Sequence, residues 1–568
     1  MNPREINLSH PAWLPGSTSK KTVSGLKAAV SSDNAVVTYT LLDILKRGGN
    51  AIDAGIAGCL LQGVLEPYMT NHAGTVTALY FDAKSQQIYQ LDSTSTYPTG
   101  LPLHRPMPPR SSSAGWASTP MASSIPGFAP GIKALHEKFG SMDWPELTEE
   151  AIWWADHGNH VSEYEREATM DMHALFTYYP ETRAYFKPNG RLVQIGERFP
   201  KPGLGDTLRG IAKEGPDYMI KGAWAEAYVN KANELGWKIT LEHMTETPPR
   251  WVQPYRFRFR DYELCCLALP QQQGQQQALI LGVLQHLKID QYEPYSAEHL
   301  YYMAHALRIG NFHTGYMQDT LIANPDYDLF RDSDYHAYLA RLIESNKPKV
   351  DLSEHMKLSS KPGARGSIPG ATFASDDRPK ASCGSCEISI VDEQGNWLQI
   401  MNTIQGSGIP GVVVGGVPMG GSSAGTNGFE GMQVKLVQGA RTRLIMGHTI
   451  ILKDQKPILM TGSPGNPSFS QAQMLTNLLF YKMDPFTAGF MPRMYGFMGD
   501  TTILMEDRVA PTVVENLRKM GSDLLVTEPW DSHTGSFQTC FLDENGNLAT
   551  TVDPRRCGVA DGLRFEPS

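Results

Sequence analysis

Apolar residues recur at helical spacing in the second half of "AVVTYTLLDILKRGGN" (35–50), and Gly48-Gly49 supply a stop. Asn50 then caps a second predicted helix, "AIDAGIAGCLLQGVLE" (51–66), which halts before Pro67. Its Ala and Gly content predicts a buried helix packed closely on a neighbour. The first 25 residues read as an irregular lead-in. "TVTALYFDAKSQQIYQLDS" (75–93) alternates as two strands around a polar turn. Residues 99–127 read as a Pro/Ser-rich surface loop, and 130–158 as two helices closed by glycines. "QQQGQQQALILGVLQHL" (271–287) reads as a loop entering a buried helix. Residues 344–383, polar and rich in Ser, Pro, Gly and Lys, read as a mobile linker.

Three hairpin patterns follow. They are "EISIVDE" with "NWLQIMNTI", then "HTIILKDQKPILMTG" (448–462), then "GSFQTCFLDENGNLATTVD" (535–553). Hairpins beside a mostly helical first half predict layered sheets covered by helices. No repeat of solenoid period occurs.

Composition narrows the function classes. The chain has 568 residues, 41% hydrophobic and 19% charged, as an ordinary globular protein has. A net charge of −9 speaks against a nucleic-acid partner, which needs a basic face. No apolar run approaches a membrane span and the start lacks an apolar signal core, so the expectation is a cytoplasmic protein with no membrane partner. Seven cysteines make no disulfide framework. The Cys383-x-x-Cys386 pair lacks a second pair to complete a metal site, so neither metal nor cofactor is expected. "GSSAG" (421–425) matches a nucleophile-elbow pattern but has glycines on both sides and no helix after it, so it reads as a flexible loop.

"TGSPGNPSFSQAQMLTNLLF" (461–480) is more specific: a strand ends in a tight turn and a helix follows, so backbone N–H groups converge where an oxyanion could sit. "SCGSCEISIVDE" is the second feature. The polar linker ends at Gly384, and Ser385 opens a strand. Cleavage of the Gly384–Ser385 bond would give Ser385 a free α-amine. With a pKa of about 7.7–8.0, that amine can serve as base to its own hydroxyl.

Several segments together resemble the γ-glutamyltransferase family of N-terminal-nucleophile hydrolases. They are "LKRGGNAIDAGIAGCLLQGVLEP", "SIPGFAPGIKALHEKFG", "SIVDEQGN", "TGSPGN" and "TVDPRR", in the family's order and across almost the whole chain. The resemblance implies an α+β fold, a four-layer αββα sandwich of two antiparallel sheets flanked by helices. It implies one intertwined domain cut into a large segment, 1–384, and a small segment, 385–568, with room for a further homodimer. It places the nucleophile, usually Thr, at Ser385, with Cys386 as the choice one register away. The hydroxyl that bonds the nucleophile falls on Thr403, a substrate-binding Asn on Gln405, and the oxyanion donors on Gly465 and Asn466.

The glutamate-reading groups depart from the family. Its carboxylate-gripping Arg falls on Thr94, and its paired serines fall on Leu444 and Ile445. Arg105 and Arg110 are the nearest alternative cations. A bidentate Arg–carboxylate contact is a strong anchor, so its loss points to a small amide with a different acyl group. The expected activity is a self-processing amidohydrolase or acyltransferase. γ-Glutamyl transfer with a rebuilt pocket and an uncleaved binding protein are the alternatives.

Overall fold

The computed structural model describes residues 1–565 apart from 18–20, 102–123, 172–178, 314–316, 318, 322–326, 346–384, 405–407, 410, 420–437, 443, 445, 466 and 497–501. Gly384, Gln405, Ile445, Asn466, Arg105, Arg110, the "GSSAG" loop and almost all of the expected linker lie outside the described residues.

The strands are β1 (Thr22–Ser32), β2 (Thr75–Asp82), β3 (Gln87–Ser93), β4 (Arg250–Val252), β5 (Tyr255–Phe259) and β6 (Tyr262–Cys266). The later part of the chain adds β7 (Cys386–Val391), β8 (Trp397–Thr403), β9 (Val413–Val414), β10 (Val417–Pro418), β11 (His448–Lys453) and β12 (Lys456–Gly462). Last come β13 (Met494–Gly496), β14 (Thr502–Glu506), β15 (Asp523–Thr527), β16 (Gln538–Leu542), β17 (Leu548–Val552) and β18 (Val559–Arg564). Thirteen of them form one antiparallel sheet in the order β4-β3-β2-β8-β7-β1-β17-β16-β12-β11-β6-β5, with β18 also on β1. The sheet curls, so β7 and β8 meet β12 without pairing to it, and β7 likewise meets β16.

All three late hairpins form, as β7–β8, β11–β12 and β16–β17. The lead-in reading needs correction: β1 begins at Thr22 and becomes a central strand, pairing β7, β17 and β18. Its "TVSGLKAAVSS" has little β-branched or aromatic character, and Gly25, at φ +73°, sits where the register with β17 shifts. Tertiary pairing, not local propensity, makes this strand.

The first helix, α1 (Ala35–Lys46), starts earlier than its periodicity suggests, because Asn34 accepts a hydrogen bond from the Val36 N–H and caps it. In α2 (Ala51–Leu65), Asn50 and Asp53 form a reciprocal capping box. Every residue of α2 is buried. A Cβ on Gly55 would lie 2.6 Å from a Leu398 methyl, and one on Gly58 2.6 Å from an Ile388 methyl. Those glycines let α2 lie directly on β7 and β8. The Gln-rich segment is helical from Gln273 to His286. A helix reaching Ser345 moves the start of the expected linker slightly later.

The strand alternation of β7 places the site. Ile388 and Ile390 face α2 within the main apolar cluster. Glu387 and Ser389 point the other way, toward β11, β12 and β16.

Candidate active site

Ser385 lies immediately before β7 and is 5% exposed. Cys386 pairs with Asn402, so continuing the antiparallel register sets Ser385 opposite Thr403, the last residue of β8. Thr403 in turn pairs with Thr75 on β2. Beyond it, the Ile404 N–H donates to the Met69 carbonyl, which ties the strand end to the loop after α2.

Arg556, fully buried, holds the backbone at this point. Its Nη1 donates to the Ser385 carbonyl at 2.8 Å and meets Asp33 Oδ2 at 3.2 Å. Asp33 Oδ1 accepts from Ser536 Oγ at 2.8 Å and Gln538 Nε2 at 2.6 Å. Burial pushes the Asp33 carboxyl up, and the Arg556 charge pulls it back. The same guanidinium borders the turn after β12. A Cβ on Gly465 would lie 3.4 Å from Arg556 Nη2 and 2.9 Å from the Gly535 Cα. Gly465 has φ +96°, so both its conformation and its surroundings call for glycine. The structure thus brings Ser385 and Gly465 to Arg556, a residue whose role sequence reasoning missed, with Thr403 across the strand pair from Ser385. The signal available was the "TVDPRR" segment itself. Its Asp553 and Arg555 join a buried ion network with Arg493 and Glu506.

Cys386 is oriented differently. Its thiol is buried beside Glu66, among Tyr68, Met69, Ile404 and Cys557. Burial and the neighbouring carboxyls push that thiol well above its usual range, so it holds its proton at neutral pH. Glu66, buried and close to Asp33, is pushed up to about 8.

Thr94 is buried, and its N–H and hydroxyl donate to Asp92 Oδ1 at 3.2 and 2.8 Å. Its carbonyl accepts from Arg441 Nη1 at 2.8 Å. Two cations therefore stand near the position of the missing Arg, but acids occupy them. Arg250 Nη2 lies 2.8 Å from both Asp92 Oδ2 and Asp319 Oδ2, and Arg441 Nε lies 3.3 Å from Asp92 Oδ2. Arg441 and its acids are a second group that sequence reasoning missed, because their partners lie far apart in the chain. Leu444 is buried in an apolar cluster with Leu267, Met401, Met446 and Met460. A groove of about 540 Å³ lined by Arg256, Arg258, Arg331 and His286 runs along the edge strand β5, which ends the sheet order and is separated in it from β7 by six strands.

The gamma-glutamyltranspeptidase family model matches residues 38–563. The glutathione hydrolase proenzyme of Pseudomonas aeruginosa is 27% identical over 565 residues, 95% of each chain. The acylase ACY 1 proenzyme of Pseudomonas sp. strain SE83 is 23% identical, covering 96% of this chain and 94% of its own. The crystal structure of cephalosporin acylase from Bacillus halodurans superposes with a TM-score of 0.79 at 20% identity, covering 99% of this chain and all of its own. The gamma-glutamyltranspeptidase of Helicobacter pylori gives 0.52 at 23% identity, over 60% of this chain and 96% of its own. With this match from Thr38 almost to the end of β18, the chain belongs to the gamma-glutamyltranspeptidase family and is an N-terminal-nucleophile amidohydrolase.

Proposed function

We propose that this protein cuts itself before Ser385 and then hydrolyses a small amide whose acyl part is not γ-glutamyl. The observation that carries the reading is the placement of Ser385 at the head of β7, its carbonyl held by Arg556, with the Gly465 turn on the same guanidinium. In processing, Ser385 Oγ adds to the Gly384 carbonyl carbon, and the C–N bond breaks as that nitrogen takes a proton. Water then hydrolyses the ester, leaving a Gly384 carboxylate and a free Ser385 amine.

In turnover that amine accepts the Ser385 hydroxyl proton as Oγ attacks the substrate carbonyl. Backbone N–H groups of Gly465 and Asn466 hold the oxyanion, and Thr403 steadies Oγ. The leaving amine takes the proton, and water releases the acid. Gln405 and the wall at Leu444–Ile445 meet the acyl group. The finer architecture fitting this reading is the four-layer αββα sandwich, with the curled sheet supplying both central layers. Segments 1–384 and 385–568 stay associated, because β7 and β8 pair with β1 and β2, and β11 pairs with β6.

Denaturing gels and N-terminal sequencing test processing: the wild type should yield a fragment starting Ser-Cys-Glu-Ile, and Ser385→Ala should stay whole. An S385A chain that still splits would place the nucleophile elsewhere. One observation favours a second reading, γ-glutamyl hydrolysis: Arg441 and Arg250 stand beside Thr94. A γ-glutamyl anilide assayed against a matched anilide lacking the α-amino and α-carboxyl groups separates the two. Higher kcat/KM for the γ-glutamyl compound selects the second.

A further inference from the structure

Beneath Ser385, on the same face of β7, lies a buried polar bridge between the two halves of the sheet. Glu387 Oε1 is 2.9 Å from His448 Nδ1 on β11, both side chains fully buried. Gln399 Nε2 on β8 donates to the same oxygen at 2.6 Å. Ser389 Oγ bonds Gln399 Oε1 and lies 2.9 Å from the Gln538 carbonyl on β16. Glu387 Oε2 has no hydrogen-bond partner among the described residues. Space for the bridge comes from Gly462 at the end of β12, where a Cβ would lie 2.1 Å from Gln399 Nε2 and 2.2 Å from Glu387 Oε1. Gly462 is three residues from Gly465.

The proton count follows from the far side of the imidazole. His448 Nε2 lies 3.2 Å from the Thr77 carbonyl, which can only accept, and 3.0 Å from Thr77 Oγ1. Nε2 therefore carries hydrogen, and in a neutral ring Nδ1 is bare. A bare nitrogen and a carboxylate oxygen at 2.9 Å repel, so one proton belongs to the pair; Nδ1 makes no hydrogen bond among the described residues, so the contact is an ion pair and not a hydrogen bond. With that proton the pair is neutral overall and attractive. The other charged or titratable groups near Glu387 are Asp33 with Arg556, the Cys59 thiol of α2, and the Ser385 amine two residues away.

We propose that Glu387 and His448 are positioning residues, whose one proton locks the strand carrying the nucleophile onto β11, the hairpin partner of the strand that leads to the Gly465 turn. This rests on the reading of Ser385 as nucleophile. Losing the proton turns the bridge repulsive and unlocks the register, so the pair contributes an alkaline limb to activity. Glu387→Gln keeps the bridge but removes the titration. Its amide donates to bare Nδ1 once the Gln399 amide turns over, so that the Gln399 oxygen accepts from the introduced amide and the Gln399 nitrogen donates to Ser389 Oγ. Glu387→Ala removes the bridge.

The experiment uses the full chain, the neutral-acyl anilide and three readouts: cleavage on gels, pH profiles of kcat and KM, and melting temperature against pH. In E387A we expect slower self-cleavage and a kcat lower by on the order of tenfold to a hundredfold with KM little changed. E387Q should restore cleavage and turnover but lose the alkaline limb. A wild-type pH profile in E387Q together with wild-type kcat in E387A would overturn the pair. If the wild-type chain neither splits nor turns over any anilide, the function reading fails instead. The pair is then decided by melting temperature: a wild-type-minus-E387Q difference that varies with pH supports it, and a constant one overturns it.

Discussion

The Arg556 guanidinium donates to the Ser385 carbonyl at 2.8 Å while paired with Asp33, so the backbone of the candidate nucleophile is anchored to a residue near the end of the chain. All three residues are buried. Arg556→Met keeps most of the volume but strands the Asp33 carboxylate without its cation. Breaking a buried pair this way costs about 3–5 kcal/mol. The expected outcome is a lower melting temperature and a precursor that accumulates uncut. Paired Arg556→Met and Asp33→Asn changes should recover part of the stability and none of the cleavage. Recovery of cleavage in the double variant would show that Arg556 acts through charge balance alone.

Cys386 tests the choice of nucleophile from the other side. Its thiol is buried toward Glu66 and holds its proton. Cys386→Ala should therefore self-cleave and turn over at wild-type rates, at a stability cost of about 1–2 kcal/mol for the small cavity left. An uncut C386A chain, correctly folded by circular dichroism, would move the nucleophile to the thiol.

Much of this arrangement was legible in the chain, for identifiable reasons. The three late hairpins and α2 carry their own turn residues, caps and periodicity, so local chemistry announces them. Ser385 and Gly465 could be named because each sits where a polar or glycine-rich stretch meets a strand. β1 was not legible, because its weak strand propensity is overridden by pairing on both edges. Arg556, Glu387 and Arg441 escaped because their partners Asp33, His448 and Asp92 are distant in sequence, and a charge inside a strand or loop looks like any surface charge until its burial is known.

The stability contributed by two buried acids should fall as pH rises. Burial pushes Glu66 up to about 8 and Glu387 up to about 7. An acid raised on folding binds its proton more tightly in the native state. Its favourable contribution is full below the unfolded value of about 4.3 and is lost as pH rises to the folded value. The window is therefore about pH 4.5 to 8, and Glu66→Gln should flatten it. The gain of the variant over wild type at the upper end is expected to be on the order of a few kcal/mol. Melting temperatures from pH 5 to 8.5 check this, and parallel curves for both proteins would contradict it.

Gly462 has no room for a methyl group. The Cβ of Gly462→Ala would press on Gln399 Nε2 and Glu387 Oε1, both buried and tied to other strands. Overpacking of this kind costs about 1–3 kcal/mol. Because β12 leads into the Gly465 turn, turnover should suffer more than folding. A variant with a lowered melting temperature and unchanged kcat would separate the bridge from catalysis.

Substrate choice can be shifted through Asp92. The guanidinium groups of Arg250 and Arg441 lie near the Thr94 position, but Asp92 engages both and Asp319 engages Arg250. Four charges in such a cluster sum to zero, so a substrate carboxylate entering there would meet no net positive field. Asp92→Asn keeps the shape and the oxygen that accepts from Thr94, and leaves the cluster one positive charge in excess. A carboxylate-bearing acyl group should gain relative to a neutral one. The expected change in the ratio of kcat/KM, γ-glutamyl anilide over neutral anilide, is about tenfold, equivalent to about 1.4 kcal/mol. The gain should shrink with added salt, as an electrostatic effect does. An unchanged ratio in a folded, self-cleaved D92N protein would mean that the cluster does not face the acyl group, and that specificity is set elsewhere around Ser385.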